Sequence, residues 1–170
     1  NTTENNWNYL KYNNIIYTKK LYEFSLNKNC QFIYASSASI YGNKSGAGAI
    51  KNFNYKPLNL YGKSKFELDK YFFKNSNKKV LSLRFFNVYG NLEYHKKDMR
   101  SPVSKFADEL VRKKYIKLFK LLKEPSRDFI HVNDAISLLL FLKKKKVNGI
   151  FNIGTGTSET FLNIAKLIIR

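Results

Sequence analysis

Apolar positions along this chain switch between helical and strand spacing. Tyr17, Leu21 and Phe24 stand at i, i+4 and i+7, which predicts a helix over 13–27 with those side chains as its buried stripe. Gln31-Phe32-Ile33-Tyr34-Ala35 predicts a buried strand that breaks into the hydroxyl-rich loop Ser36-Ser37-Ala38-Ser39. Leu68, Tyr71 and Phe72 return to helical spacing and predict a helix over 59–75, and Val80 to Phe85 reads as the next strand. Helix, strand, helix, strand at this spacing predicts an α/β chain with a parallel sheet of βα units.

Further along, Ser101-Pro102 is a helix start, an N-cap followed by proline at the first position, and the pattern carries that helix to about 114. A strand near 116–119 follows. Asp134 is placed to cap a helix over 135–144, and 150–153 reads as a strand. Gly154-Thr155-Gly156 then imitates a dinucleotide fingerprint, but Glu159 stands where its third glycine belongs, so the segment is read as the start of a last helix capped by Thr157 or Ser158.

Composition changes this picture little. At 170 residues the chain can bury a sizeable core. The net charge of +19 would suggest a nucleic-acid partner, but 26 of the 31 basic residues are lysines, and 20 asparagines accompany them. Those residue types share A/T-rich codons, and the lysines are scattered or in solvated runs such as 143–146. The expectation is no nucleic-acid partner. The longest apolar run, Leu138 to Leu142, is too short to span a bilayer, so no membrane partner is expected. The single cysteine, Cys30, precedes the first strand and is read as inert packing in a reducing, cytoplasmic compartment. Two histidines and one cysteine argue against a metal site. His131 alternates with apolar neighbours and is read as structural.

The chemistry concentrates at Tyr61-Gly62-Lys63-Ser64-Lys65. Residues four apart share a helix face, so the Tyr61 phenol and the Lys65 ammonium can meet. A phenol titrates near ~10, and making it a base near pH 7 takes roughly 4 kcal/mol of phenolate stabilisation. A nearby ammonium acts in that direction. Ser37 stands 24 residues upstream of Tyr61.

A strand, Ser-Ser, Tyr-Gly and then Tyr-x-x-x-Lys resembles the extended short-chain dehydrogenase/reductase family. Lys56-Pro57-Leu58-Asn59 ahead of Tyr61 and Arg84-Phe85-Phe86-Asn87-Val88-Tyr89-Gly90 are similar to it too, as is Arg127-Asp128-Phe129-Ile130-His131-Val132-Asn133-Asp134. The resemblance implies a Rossmann-like doubly wound parallel sheet, here incomplete, with parts of a smaller α/β substrate domain. The implied division is 1–86 with 131–157 for NAD(P) binding, and 87–130 with 158–170 for substrate. It implies Ser37 and Tyr61 on the oxygen of the carbon being oxidised and Lys65 on the nicotinamide ribose.

Thr2-Thr3-Glu4 with Trp7, Lys56 to Asn59, and His95-Lys96 with Met99 are similar to family members that invert C6 of an ADP-linked heptose. That likeness implies Ser37, Tyr61 and Lys96 as catalytic. It implies Asn13, Tyr61, Lys65, Val88 and Lys96 on the cofactor, NADP or alternatively NAD. It implies Ser37, Asn87, Asp98, Lys105, Phe119 and Arg127 on the nucleotide sugar, and a homo-oligomer. Lys97, Asp98 and 120–122 depart from the pattern. The glycine-rich first βα turn is not in this sequence, so the 170 residues alone are expected to be inactive. A hexose 4-epimerase or dehydratase of the same family, which would not need Lys96, and a non-catalytic basic nucleic-acid-binding domain are the alternatives.

Overall fold

In the computed structural model, residues 2–42, 54–74, 79–118 and 124–170 are described. In chain order the elements are α1 (Trp7–Leu10), a π-helical stretch (Lys11–Ile16), α2 (Tyr17–Asn27), β1 (Phe32–Ser37), a 3-10 turn (Ala38–Tyr41), α3 (Leu60–Lys74), β2 (Val80–Phe85) and β3 (Asn87–Tyr89). There follow a 3-10 stretch (Glu93–Met99), α4 (Pro102–Lys113), β4 (Ser126–Arg127), β5 (Phe129–His131), α5 (Val132–Lys144), β6 (Gly149–Ile153), β7 (Glu159–Thr160) and α6 (Phe161–Ile169). They form two compact units, Asn1–Phe85 with Leu139–Ile153, and Phe86–Leu138 with Gly154–Arg170.

The first unit is built on a sheet that is parallel, as the alternating pattern predicts, with its strands in the order β1-β2-β6. Its middle strand β2 is buried from Val80 to Arg84, as parallel strands covered on both faces are. Against it packs a cluster of Tyr22, Tyr34, Leu68, Phe72 and Val80, with Ile15, Leu26, Phe32 and Tyr71 around it. Tyr22 meets Phe72 edge-on with ring centroids 5.2 Å apart, and Tyr71 likewise at 6.2 Å. Such pairs add to what burial of their area contributes.

The first helix departs from its prediction in two ways. It starts at Trp7 rather than 13, because the Asn6 side chain accepts from the Tyr9 N–H and caps it. The expected buried stripe is also the wrong face: Tyr17, Leu21 and Phe24 are exposed, while Tyr22 and Ser25 are buried. The helix carries a second apolar row, Ile15, Tyr22 and Leu26, and the aromatic contacts of Tyr22 select that row for the core. Periodicity alone could not choose between two such rows. The strand after it also runs further than expected, so Ser36 and Ser37 end β1 instead of opening a loop. Cys30 is exposed and free, not packed.

In the second unit β3 pairs parallel with β5 and β4 antiparallel with β7. Ser101 caps α4 as expected, accepting from the Ser104 N–H. Residues 116–118 form no strand, and Phe119 with 120–122 lies outside the described residues. Asp134 sits in the first turn of α5, which begins at Val132, so it is not that helix's cap. The cap of α6 is Thr160, two or more residues beyond the expected Thr157 or Ser158.

The reason lies in the Gly154–Gly156 segment. The Asp128 carboxylate accepts from the backbone N–H of Thr155 at 2.9 Å and of Gly156 at 2.8 Å, and from the Thr155 hydroxyl at 2.8 Å. A Cβ on Gly154 would stand 2.5 Å from an Asp128 oxygen, so only glycine lets the loop close on it. The amide donors that a phosphate would need are held by a side-chain anion, and the loop stays irregular until Glu159.

Candidate active site

Three features bring the tyrosine-lysine pair and the serine together. Asn59 accepts from the Gly62 N–H at 2.7 Å and caps the first turn of α3. Gly62 has no side chain to hold the helix away, since a Cβ there would lie 2.8 Å from the Ser39 carbonyl oxygen. The Ser39 N–H and hydroxyl both donate to Ser37 Oγ, at 3.2 and 2.9 Å, and tie the end of β1 to the turn beneath that helix. As a result the Ser37 side chain hydrogen-bonds the Tyr61 phenol.

Burial pushes the Tyr61 phenol above its ordinary value, and the Ser37 hydrogen bond works against that rise. This revises the sequence expectation that Lys65 would lower the phenol directly. The Lys65 ammonium lies 5.6 Å from the Tyr61 ring centroid and donates to the Ala35 carbonyl at 2.9 Å. Burial lowers Lys65 to about 8, with Asp69 opposing the fall. The phenol is therefore protonated at neutral pH and suited to donate to an oxygen that gains negative charge. The lysine keeps most of its charge at pH 7 and loses it around pH 8, well before a solvated one does.

Two contacts behind the pair gave no sequence signal. The Asn14 amide donates to Ser64 Oγ at 2.8 Å, and Ser64 Oγ donates to the Tyr61 carbonyl at 2.7 Å, so the π-helical stretch holds α3 from behind. A π-turn cannot be read from apolar spacing, and it often marks a functional site. Asn13, expected on the cofactor, is exposed and donates to the Tyr9 carbonyl of its own helix at 2.9 Å.

The remaining candidates belong to the second unit. Asn87 on β3 is half-buried and donates both its backbone N–H and its amide to the Asp128 carbonyl, each at 3.1 Å. Val88 is half-buried beside it. Lys96 is 41% exposed and ion-paired to Glu93 at 3.3 Å. Burial alone would raise Glu93, but hydrogen bonds from Ser101, Gly90 and Lys96 hold it below the usual carboxylate range. Asp98 is exposed, Lys105 on α4 is half-buried, and Arg127 is exposed and donates to the Ser126 carbonyl at 2.8 Å. A cavity of about 490 Å³ in this unit is lined by Tyr89, Glu93, Tyr94, Asp108 and His131 among others, and by none of these candidates except through Glu93, the partner of Lys96. His131 stacks edge-on against Tyr89 at 5.4 Å. Among the described residues no cluster of His, Cys, Asp and Glu could hold a metal, and no helix is long and apolar enough to cross a membrane.

With Ser37 on Tyr61, Ser37→Ala is expected to lower turnover less than loss of the proton-transfer group would, and Ser37→Thr to keep part of it. Ser36 is buried at 3% exposure. Ser36→Ala should therefore change the melting temperature more than turnover. Steady-state kinetics with thermal melts separate the two serines, and a larger kinetic loss at Ser36 would overturn the assignment.

A family model described as NAD dependent epimerase/dehydratase family matches residues 1–154. The ADP-L-glycero-D-manno-heptose-6-epimerase of Brachyspira hyodysenteriae is 38% identical over 98% of the chain and 54% of the relative. The crystal structure of the Helicobacter pylori ADP-L-glycero-D-manno-heptose-6-epimerase matches with a TM-score of 0.91 and 31% identity, over 99% of this chain and 54% of that one. The UDP-glucose 4-epimerase of Thermotoga maritima matches with a TM-score of 0.76 and 27% identity, over 94% and 52%. The chain spans about half the length of the curated relatives it matches.

Proposed function

Because the chain belongs to the NAD dependent epimerase/dehydratase family, we propose that it is part of an epimerase that inverts C6 of an ADP-linked heptose. The observation that carries this is the Ser37 side chain on the Tyr61 phenol with Lys65 one helical turn on. A serine and a tyrosine on one oxygen can stabilise and protonate it as it passes between alcohol and ketone. The choice of heptose over a hexose 4-epimerase or dehydratase is supported by the 38% identity to heptose epimerases and by the closer structural match, 0.91 against 0.76.

The donors present fit a nicotinamide dinucleotide. Lys65 offers three N–H groups, and among the described residues its acceptor is the Ala35 carbonyl, which leaves two for the vicinal hydroxyls of a ribose. Lys65 would hold that ribose end, with Tyr61, Val88, Asn13 and Lys96 as further cofactor contacts. We read the cofactor as NADP, with NAD as the alternative. Bound there, it supplies a reversible hydride acceptor. In this reading a second proton donor and acceptor serves the opposite face of the ketone, and Lys96 takes that role. Asn87, Asp98, Lys105, Phe119 and Arg127 take the nucleotide sugar, Arg127 as a bidentate donor to phosphate.

In this reading 1–86 with 131–157 form the cofactor-binding part and 87–130 with 158–170 the substrate part of a cytoplasmic homo-oligomer. The test is incubation of the natural-length polypeptide with the ADP-linked heptose and, separately, a UDP-hexose. Inversion at C6 of the heptose is expected. Inversion at C4 of the hexose alone would replace this reading with the 4-epimerase.

A further inference from the structure

The face of α3 that carries Tyr61 and Lys65 continues one turn on to Asp69, a residue with no part in the chemistry above. Asp69 and Arg84 are both fully buried, and Arg84 Nε donates to Asp69 Oδ2 at 2.7 Å. Ser82 Oγ donates to Asp69 Oδ1 at 2.9 Å. From the same guanidinium, Nη1 donates to the Tyr41 hydroxyl at 3.0 Å, and Tyr41 in turn donates to Asn152 on β6. The guanidinium carbon lies 5.2 Å from the Tyr41 ring centroid and 5.6 Å from that of Tyr55.

One network therefore ties α3, β2, β6 and the turn that begins directly after Ser37. Stability does not explain its presence. Taking two charges out of water costs several kcal/mol per ion, and apolar residues of similar size often do as well or better. The best-attested use of such a pair is to fix register. Here the register is that of the tyrosine-lysine helix against the strand end that carries the serine.

The geometry assigns Asp69 and Arg84 as positioning residues: they lock the Tyr61/Lys65 face of α3 to β2 and, through Tyr41, the turn that holds Ser37. The assignment rests on the functional reading above for the roles of Ser37, Tyr61 and Lys65. It also has an electrostatic consequence. The groups facing Lys65 are Tyr61 and Asp69 from its own helix, and Tyr34 from β1, whose ring centroid is 4.8 Å from the ammonium. Asp69 is the anion among them, and it favours the charged lysine.

The sign of each substitution follows. Asp69→Asn removes that anion, so the Lys65 midpoint falls below about 8. Arg84→Met frees Asp69 to act on Lys65 alone, so the midpoint rises. Mere loosening of the packing would admit water to Lys65 in both variants and raise both midpoints toward the ordinary value.

The test is competitive acetylation with acetic anhydride across pH 6–11 in the natural-length polypeptide, with the Lys65 peptide followed by mass spectrometry. Shifts of about one unit are expected, down for Asp69→Asn and up for Arg84→Met, the low end for a nearby opposite charge. Asp69→Glu should stay near the unsubstituted protein. A rise or no change in Asp69→Asn would overturn the assignment. If Asp69→Asn loses its native near-UV circular dichroism, Tyr41→Phe decides, since it deletes a single oxygen. A kcat lowered about tenfold with KM within twofold is expected there, because a misplacement well under 1 Å is costly. An unchanged kcat would overturn the assignment. Acetylation does not depend on turnover, so absence of heptose conversion would sink the functional reading and leave the Lys65 result standing.

Discussion

Tyr61→Phe is expected to lower turnover by about 10²–10⁴-fold, the range for a lost general acid or base. The substitution removes one oxygen from a half-buried ring and leaves its neighbours in place. Lys65 still reaches the Ala35 carbonyl, and Ser37 still accepts from Ser39. What is lost is the hydroxyl that Ser37 engages, raised by burial and protonated at neutral pH. Dinucleotide affinity should change little, because the ammonium and not the phenol is assigned to the ribose. Steady-state kinetics with a calorimetric dinucleotide titration would check both halves. Near-normal turnover would remove Tyr61 from the mechanism.

Lys96→Met is expected to lower epimerisation by a similar factor, about 10²–10⁴-fold, for a different reason. A single acid/base group can serve oxidation and re-reduction on one face, and in this reading Lys96 serves the return of the hydride to the other. Methionine keeps much of the length of the side chain and removes the amine, together with its ion pair to the buried Glu93. Glu93 keeps its bonds from Ser101 and Gly90, so the local fold should persist. The hexose 4-epimerase and dehydratase readings predict no loss, since neither needs Lys96. Product analysis by NMR separates these outcomes, and unchanged epimerisation would assign the second role elsewhere.

Much of the site was legible because its determinants are local. The helix carrying Tyr61 and Lys65 ends within one residue of its predicted bounds at each end, and β2 has its predicted bounds. Both follow from apolar spacing. What was not legible depends on contacts distant in sequence. The buried face of α2 is chosen by Phe32 and Phe72, which periodicity cannot see. Glu159 marked Gly154–Gly156 as a false fingerprint, but only the fold brings Asp128 onto those amides. Asp69 and Arg84 lie 15 residues apart on a helix and a strand, and nothing in their spacing announces a buried pair. The pull of Lys65 on Tyr61, inferred from four-residue spacing, gave way once Ala35 proved to be the ammonium's acceptor.

The most direct measurement is made on the ADP-linked heptose carrying deuterium at C6. The natural-length polypeptide is incubated with it in ordinary water, and the C6 configuration and deuterium content of the product are read by NMR and mass spectrometry. Transient oxidation at C6 removes that hydrogen as hydride and returns it to the other face, so the inverted product should retain its deuterium. Inversion with loss of deuterium to water, or no inversion of the heptose at all, would contradict the account.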